Sequence, residues 1–103
     1  MLLLHLSKTS EEKKRMKYLY YEVTVGANDV IEVELSRQAN VRVMDSSNYS
    51  SFRAGRGHRY HGGLAKSSPV VLRPPSAGHW YVVVDLGGYS GSVRASVSVR
   101  RAA

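Results

Sequence analysis

The chain contains no cysteine. That removes disulfide bridges and every zinc site built on thiolates, and it fits a reducing compartment. A long apolar run is also missing. The opening Met1-Leu2-Leu3-Leu4-His5-Leu6 is interrupted by a histidine, and no positively charged region precedes it. It is shorter than a signal-peptide core and far short of the ~20 residues that a membrane span needs. The expectation is a soluble, cytoplasmic protein with no membrane partner. No phosphate-loop lysine signature is present, and Gly55-Arg56-Gly57 is followed by no helix and sits in no βαβ unit. A dinucleotide fingerprint is therefore excluded. There is no internal repeat, and no stretch makes a convincing helix.

What remains is a chain of 103 residues, enough for one domain with one hydrophobic core. A chain of this size buries roughly 60–70% of its unfolded surface and folds without staples. The formal net charge is +7, unevenly placed. Residues 1–17 carry five Lys/Arg against two Glu, and the remaining 86 carry ten Lys/Arg against six Asp/Glu. Such a surplus favours an anionic partner and also serves plain solubility.

The run from Ser7 to Lys17 is polar, charged and without β-formers. Thr9 and Glu12 have capping-box spacing, which allows a helical turn, but too few apolar residues accompany it to anchor one. Residues 1–15 are expected to be a poorly ordered basic extension, residues 16–100 a single domain, and residues 101–103 a tail.

From Tyr18 the hydrophobic period is two. Leu19, Tyr21, Val23 and Val25 alternate with polar or outward residues, Gly26-Ala27-Asn28-Asp29 turns the chain, and Ile31, Val33 and Leu35 alternate with Glu32 and Glu34. Val41 and Val43 flank Arg42 in a third strand, entered through Gln38-Ala39-Asn40. Tyr49 to Arg53 and His58 to His61 are expected to be extended, pairing across Ala54-Gly55-Arg56-Gly57. Val70-Val71-Leu72 is a short strand, and Trp80 to Leu86 is apolar on both faces until Asp85, as a central strand covered on each side would be. Val93, Ala95, Val97 and Val99 form a last alternation. Seven or eight short strands with no substantial helix predict an all-β, antiparallel β-sandwich.

The most distinctive stretch runs from Arg53 to Gly63, with three arginines, two histidines, one tyrosine, four glycines and no acid in eleven residues. Glycines allow backbone N–H groups close to a ligand, and arginine forks match phosphate or carboxylate. The candidate anion site is Arg53, Arg56, His58, Arg59 and His61, extended by Lys66, Arg73 and His79. The alternative is a tight hairpin whose arginines pack over Tyr60 and Tyr49. In a strand, Arg56 and His58 would share one face, and Gly57, Arg59 and His61 the other.

Other chemistries find less support. His58 and His61 are three apart, which opposes them on a strand, so no metal or other cofactor is expected. Serines are abundant beside Asp45, Asp85 and the histidines, but no strained elbow is visible to build a hydrolase nucleophile. Asp45 and Asp85 each precede turn residues and are expected to hold backbone amides there. Tyr49, Phe52, Tyr60, Trp80 and Tyr81 are interleaved with arginines, as in single-stranded nucleic-acid platforms. Trp80, however, sits in the most apolar strand, where core packing is expected.

Several ordered motifs carry a likeness to a known family. Val41-Arg42-Val43-Met44-Asp45-Ser46-Ser47-Asn48, Gly57-His58-Arg59-Tyr60-His61-Gly62-Gly63, Gly78-His79-Trp80 and Val82-Val83-Val84-Asp85-Leu86-Gly87-Gly88-Tyr89-Ser90-Gly91 together resemble the bacterial family called domain of unknown function 1883. The likeness runs from about Met16 to Val99, and Met16-Lys17-Tyr18 is similar to the start of family members. The resemblance implies a compact β-sandwich. It also implies a sensing or adaptor module, since some members are joined to TIR domains. It brings no catalytic residue and no substrate.

The leading expectation is a non-catalytic recognition module for an anionic, nucleotide-like small molecule or an acidic protein surface. An adaptor or self-assembling domain using exposed strand edges comes second, and a hydrolase of phosphorylated substrates last. Nucleic acid is a partner not favoured.

Overall fold

The computed structural model describes residues 3–5 and 18–101. The described residues form eight strands and one short helix. In chain order these are β1 (Leu3–His5), β2 (Tyr18–Val25), β3 (Asp29–Leu35), β4 (Ala39–Met44), α1 (Ser46–Arg53), β5 (His61–Ala65), β6 (Val70–Leu72), β7 (Gly78–Asp85) and β8 (Ala95–Arg101). They build two antiparallel sheets, one of five strands in the order β1-β2-β7-β4-β5 and one of three in the order β6-β3-β8. The all-β sandwich expected from the period-two pattern is the observed fold.

The alternation sets which residues meet between the sheets. Leu19, Tyr21 and Val25 of β2, Ala39, Val41 and Val43 of β4, and Trp80, Val82 and Val84 of β7 face Ile31 and Val33 of β3 in one buried cluster. Val70, Leu72, Val97 and Val99 close it from the smaller sheet. That sheet's outward residues are mostly wet, Val30 being the buried exception, and Arg100 Nε donates to Glu32 Oε1 at 2.5 Å. The larger sheet is different, because helix α1 covers its outer face. Met44, Tyr49 and Val83 are buried there, with Tyr18, Tyr20, Phe52 and Tyr81 packed around them. This second layer explains why β7 is apolar on both sides, with Val82, Val83 and Val84 all fully buried.

Helix α1 corrects the extended hairpin expected over residues 49–61. Asp45 caps the helix, its Oδ1 accepting from Asn48 N–H at 2.8 Å. Tyr49 and Phe52, three residues apart, then share one helical face and pack onto the sheet's tyrosines. The far end closes on a left-handed glycine: Gly55 (φ +75) donates to Phe52 O, and Arg56 N–H donates to Ser51 O at 2.9 Å. Strand β5 starts only at His61, and it pairs with β4 rather than with residues 49–53. The expectation for Asp45 held in its chemistry but served a helix cap instead of a strand-ending turn.

Two further boundaries moved. Residues 3–5, assigned to the basic extension, form a strand paired with residues 18–20 of β2. The rest of the extension, including the Thr9–Glu12 turn, lies outside the described residues. Arg101, assigned to the tail, ends β8, while Val93 precedes that strand.

Burial pushes the Tyr21 hydroxyl up to about 12, while it donates to Ala95 O at 3.1 Å. Because the folded state holds this proton more tightly, the contribution is complete below pH 10, the ordinary value, and is lost as pH rises toward 12. Stability in urea should therefore fall across that window, with Tyr21→Phe losing less of it than the parent. Denaturation midpoints measured at stepped alkaline pH, alongside phenolate absorbance, check this. Equal slopes in both proteins would refute it.

Candidate functional site

Acid-free sequence sets one stretch of the chain apart. Between Asp45 and Asp85, residues 46–84 contain Arg53, Arg56, Arg59, Lys66 and Arg73 and no Asp or Glu. This stretch contributes α1, the following connection, β5 and β6. Three cations of the sheets behave differently. Arg42 is paired with Asp85, Arg100 with Glu32 and His79 with Glu22. Among the described residues, none of Arg53, Arg56, Arg59, Lys66 or Arg73 meets a carboxylate.

Three of these cations leave the chain within seven residues, from the last turn of α1 through the connection to β5. Arg53, Arg56 and Arg59 are all exposed. The Arg53 guanidinium lies 5.9 Å from the Tyr49 ring centroid, a cation–π distance. The connection itself is held down. Arg59 N–H donates to Asn48 Oδ1 at 2.7 Å, and His58 Nδ1 donates to Arg56 O at 3.0 Å. The His58 ring meets Phe52 edge-on at 5.2 Å and Tyr60 at 5.8 Å. The amides of Gly55, Arg56 and Arg59 are thus spent on capping and tethering, so these three are not offered to an anion, and the arginine side chains are.

The remaining candidates are placed elsewhere. His61 turns to the inner face, its ring 6.0 Å from that of Trp80, so it diverges from His58. His79 Nε2 is 2.9 Å from Glu22 Oε1 on the outer face of β2 and β7. Lys66 lines a cleft between β5 and β6, and Arg73 follows β6 as an exposed residue.

Next to the arginine connection lies a buried polar cluster whose side-chain pairing the sequence did not disclose. Asp85 is 1% exposed. Its Oδ1 accepts from Asn40 Nδ2 at 2.9 Å and from Gly87 N–H at 2.8 Å, and its Oδ2 accepts from Arg42 Nη1. The Arg42 guanidinium in turn stands 5.2 Å from the Tyr60 ring centroid. Gly87, Asp85, Asn40, Arg42 and Tyr60 therefore form a continuous chain of contacts that ends next to Arg59. The available signal was an Asn and an Arg two apart on a strand otherwise made of an alanine, two valines and a methionine. Asp85 was expected to hold the turn amide, which it does, but it also neutralises Arg42.

Asp45 caps a helix and Asp85 is saturated by three donors, so neither orients a histidine. Among the described residues no three His, Asp or Glu side chains converge as a metal ion requires. None of the described helices is long and apolar enough to cross a membrane.

Comparison with known proteins adds a family. No curated protein and no solved structure matches the chain. A family model described as "Domain of unknown function (DUF1883)" matches residues 16–103, and the chain belongs to that family.

Proposed function

We propose that this domain is a non-catalytic recognition module whose Arg53, Arg56 and Arg59 hold an anionic small molecule of the phosphate or nucleotide class. The observation that carries this reading is the contrast between paired and unpaired cations. Arg42, Arg100 and His79 each meet a carboxylate, whereas these three exposed guanidiniums meet none among the described residues. Guanidinium forks bind phosphate oxygens in bidentate fashion, and a connection tethered at both His58 and Arg59 lowers the ordering cost of binding. A cytoplasmic sensor, joined to a TIR domain as in the family likeness, would use such a module to report a ligand.

A thermal-shift screen with nucleotides, phosphosugars and sulfate tests the proposal. A ligand present at about 100 times its Kd adds about 2.7 kcal/mol, which is a rise in Tm of roughly 10–20 °C for a domain of this size. The double variant Arg56→Ala/Arg59→Ala should show no such rise. A parent unmoved by every anion, or a variant that responds equally, overturns the assignment.

A second reading, an adaptor domain, is favoured by apolar residues on neighbouring strand edges, where Leu64 is 56% exposed and Val71 49% exposed.

A further inference from the structure

We infer that the cleft between β5 and β6 receives an extended acidic peptide, which adds as a strand to the outer edge of β5.

The cleft follows from two glycines. Gly62 is opposite Arg42 in the pairing with β4, and a Cβ there would lie 2.2 Å from Val41 O, so the strand can approach its neighbour only without a side chain. Gly63, on the inner face opposite Val41, has nothing within 4 Å of where its Cβ would stand. The sandwich is thus left unfilled along this side. The resulting cleft of about 350 Å³ is lined by Val41, Leu64, Ala65, Lys66, Val70 and Leu72, among others.

Both strands that flank the cleft are sheet edges. β5 ends the five-stranded sheet and β6 ends the three-stranded one. The outer backbone groups of β5 therefore have no ladder partner among the described residues, which is the template an added strand uses. Five residues of strand span about 17 Å, enough for a peptide of five or six residues. Its inward side chains would meet Val41, Val70 and Leu72, which are apolar.

Charge selects the partner. Lys66 lines the cleft and Arg73 comes one residue after β6, both inside the acid-free stretch 46–84. A second copy of this chain would bring the same positive edge and be repelled. A nucleic acid would find no aromatic ring in the lining on which to stack a base. A small phosphate would leave the apolar lining unmet. An extended segment alternating acidic and apolar residues satisfies edge, lining and charge together.

This site is separate from the arginine connection, and the experiment keeps the two apart. An end-blocked, fluorescein-labelled hexapeptide of alternating aspartate and valine is titrated with the full chain and followed by fluorescence polarisation. Saturable binding is expected, weakened at least tenfold by Lys66→Glu and kept by Arg53→Ala/Arg56→Ala. Lys66 is exposed, so its replacement leaves the core intact, and circular dichroism checks this. Two further peptides carry N-methyl groups on one or the other alternate set of backbone nitrogens. One set must face β5, and that peptide should lose binding. No binding by the parent, equal binding by Lys66→Glu, or equal binding by both methylated peptides overturns the inference. None of these results bears on anion binding by Arg53, Arg56 and Arg59.

Discussion

Asp85→Leu should cost the domain about 3–5 kcal/mol, because it removes one partner of a buried ion pair and leaves the other without compensation. Asp85 is almost wholly inaccessible, and it is the common acceptor for Asn40, Gly87 and Arg42. With the carboxylate gone, the Arg42 guanidinium keeps only the face of Tyr60, and the Gly87 amide loses its acceptor. Urea denaturation followed by Trp80 fluorescence measures the loss. The double variant Arg42→Met/Asp85→Leu should recover much of it, since a well-packed apolar pair replaces a desolvated ionic one at little cost. If the double variant were as unstable as the single one, the damage would lie in the turn at Gly87 and not in the stranded charge.

Tyr49→Ala should cost a similar amount, about 3–5 kcal/mol, by the scale for deleting a large buried ring. Tyr49 is the one buried residue of α1. It stacks on Tyr81 with centroids 4.2 Å apart and rings 9° from parallel, and it packs beside Tyr20 and Phe52. Its hydroxyl lies 3.4 Å from that of Tyr18, and burial together with this contact pushes its pKa above the ordinary phenol range. A helix of eight residues has little stability of its own, so the ring is its anchor. Losing it should free the connection that carries Arg56 and Arg59, and any anion-induced shift in Tm should shrink with it. Tyr49→Phe keeps the stack and should preserve both stability and the shift, which separates anchoring from a role for the hydroxyl.

Most of the architecture was legible because the sandwich is written in alternation. Leu19, Tyr21, Val23 and Val25, or Val97 and Val99, disclose their faces by spacing alone. Trp80 to Asp85 disclosed a centre covered on both sides, although what covered the outer side was hidden. Helix α1 was hidden because Ser, Asn, Tyr and Phe are indifferent helix formers, and one anchored turn has no periodicity to detect. Its stability is tertiary, drawn from Tyr18, Tyr20 and Tyr81. The candidate site was half legible for a related reason. Composition revealed the run of arginines and glycines, but His58 and His61 part company only because β5 begins between them, and His79 finds Glu22 through a pairing 57 residues long. The Asp85–Arg42 pair joins residues 43 apart and is likewise a product of sheet order.

That sheet order also governs how the domain comes into being. The first long strand, β2, pairs with β7, and the second, β3, pairs with β8, so each sheet needs both ends of the chain before its centre is complete. Most of the loop-closure entropy must be spent before the native ladders return any free energy. No early fragment therefore holds a finished sheet. Assembly belongs to the slow regime of non-local β topologies, on the order of milliseconds to seconds, and a chain shortened by its last strand would emerge with β3 open along one side.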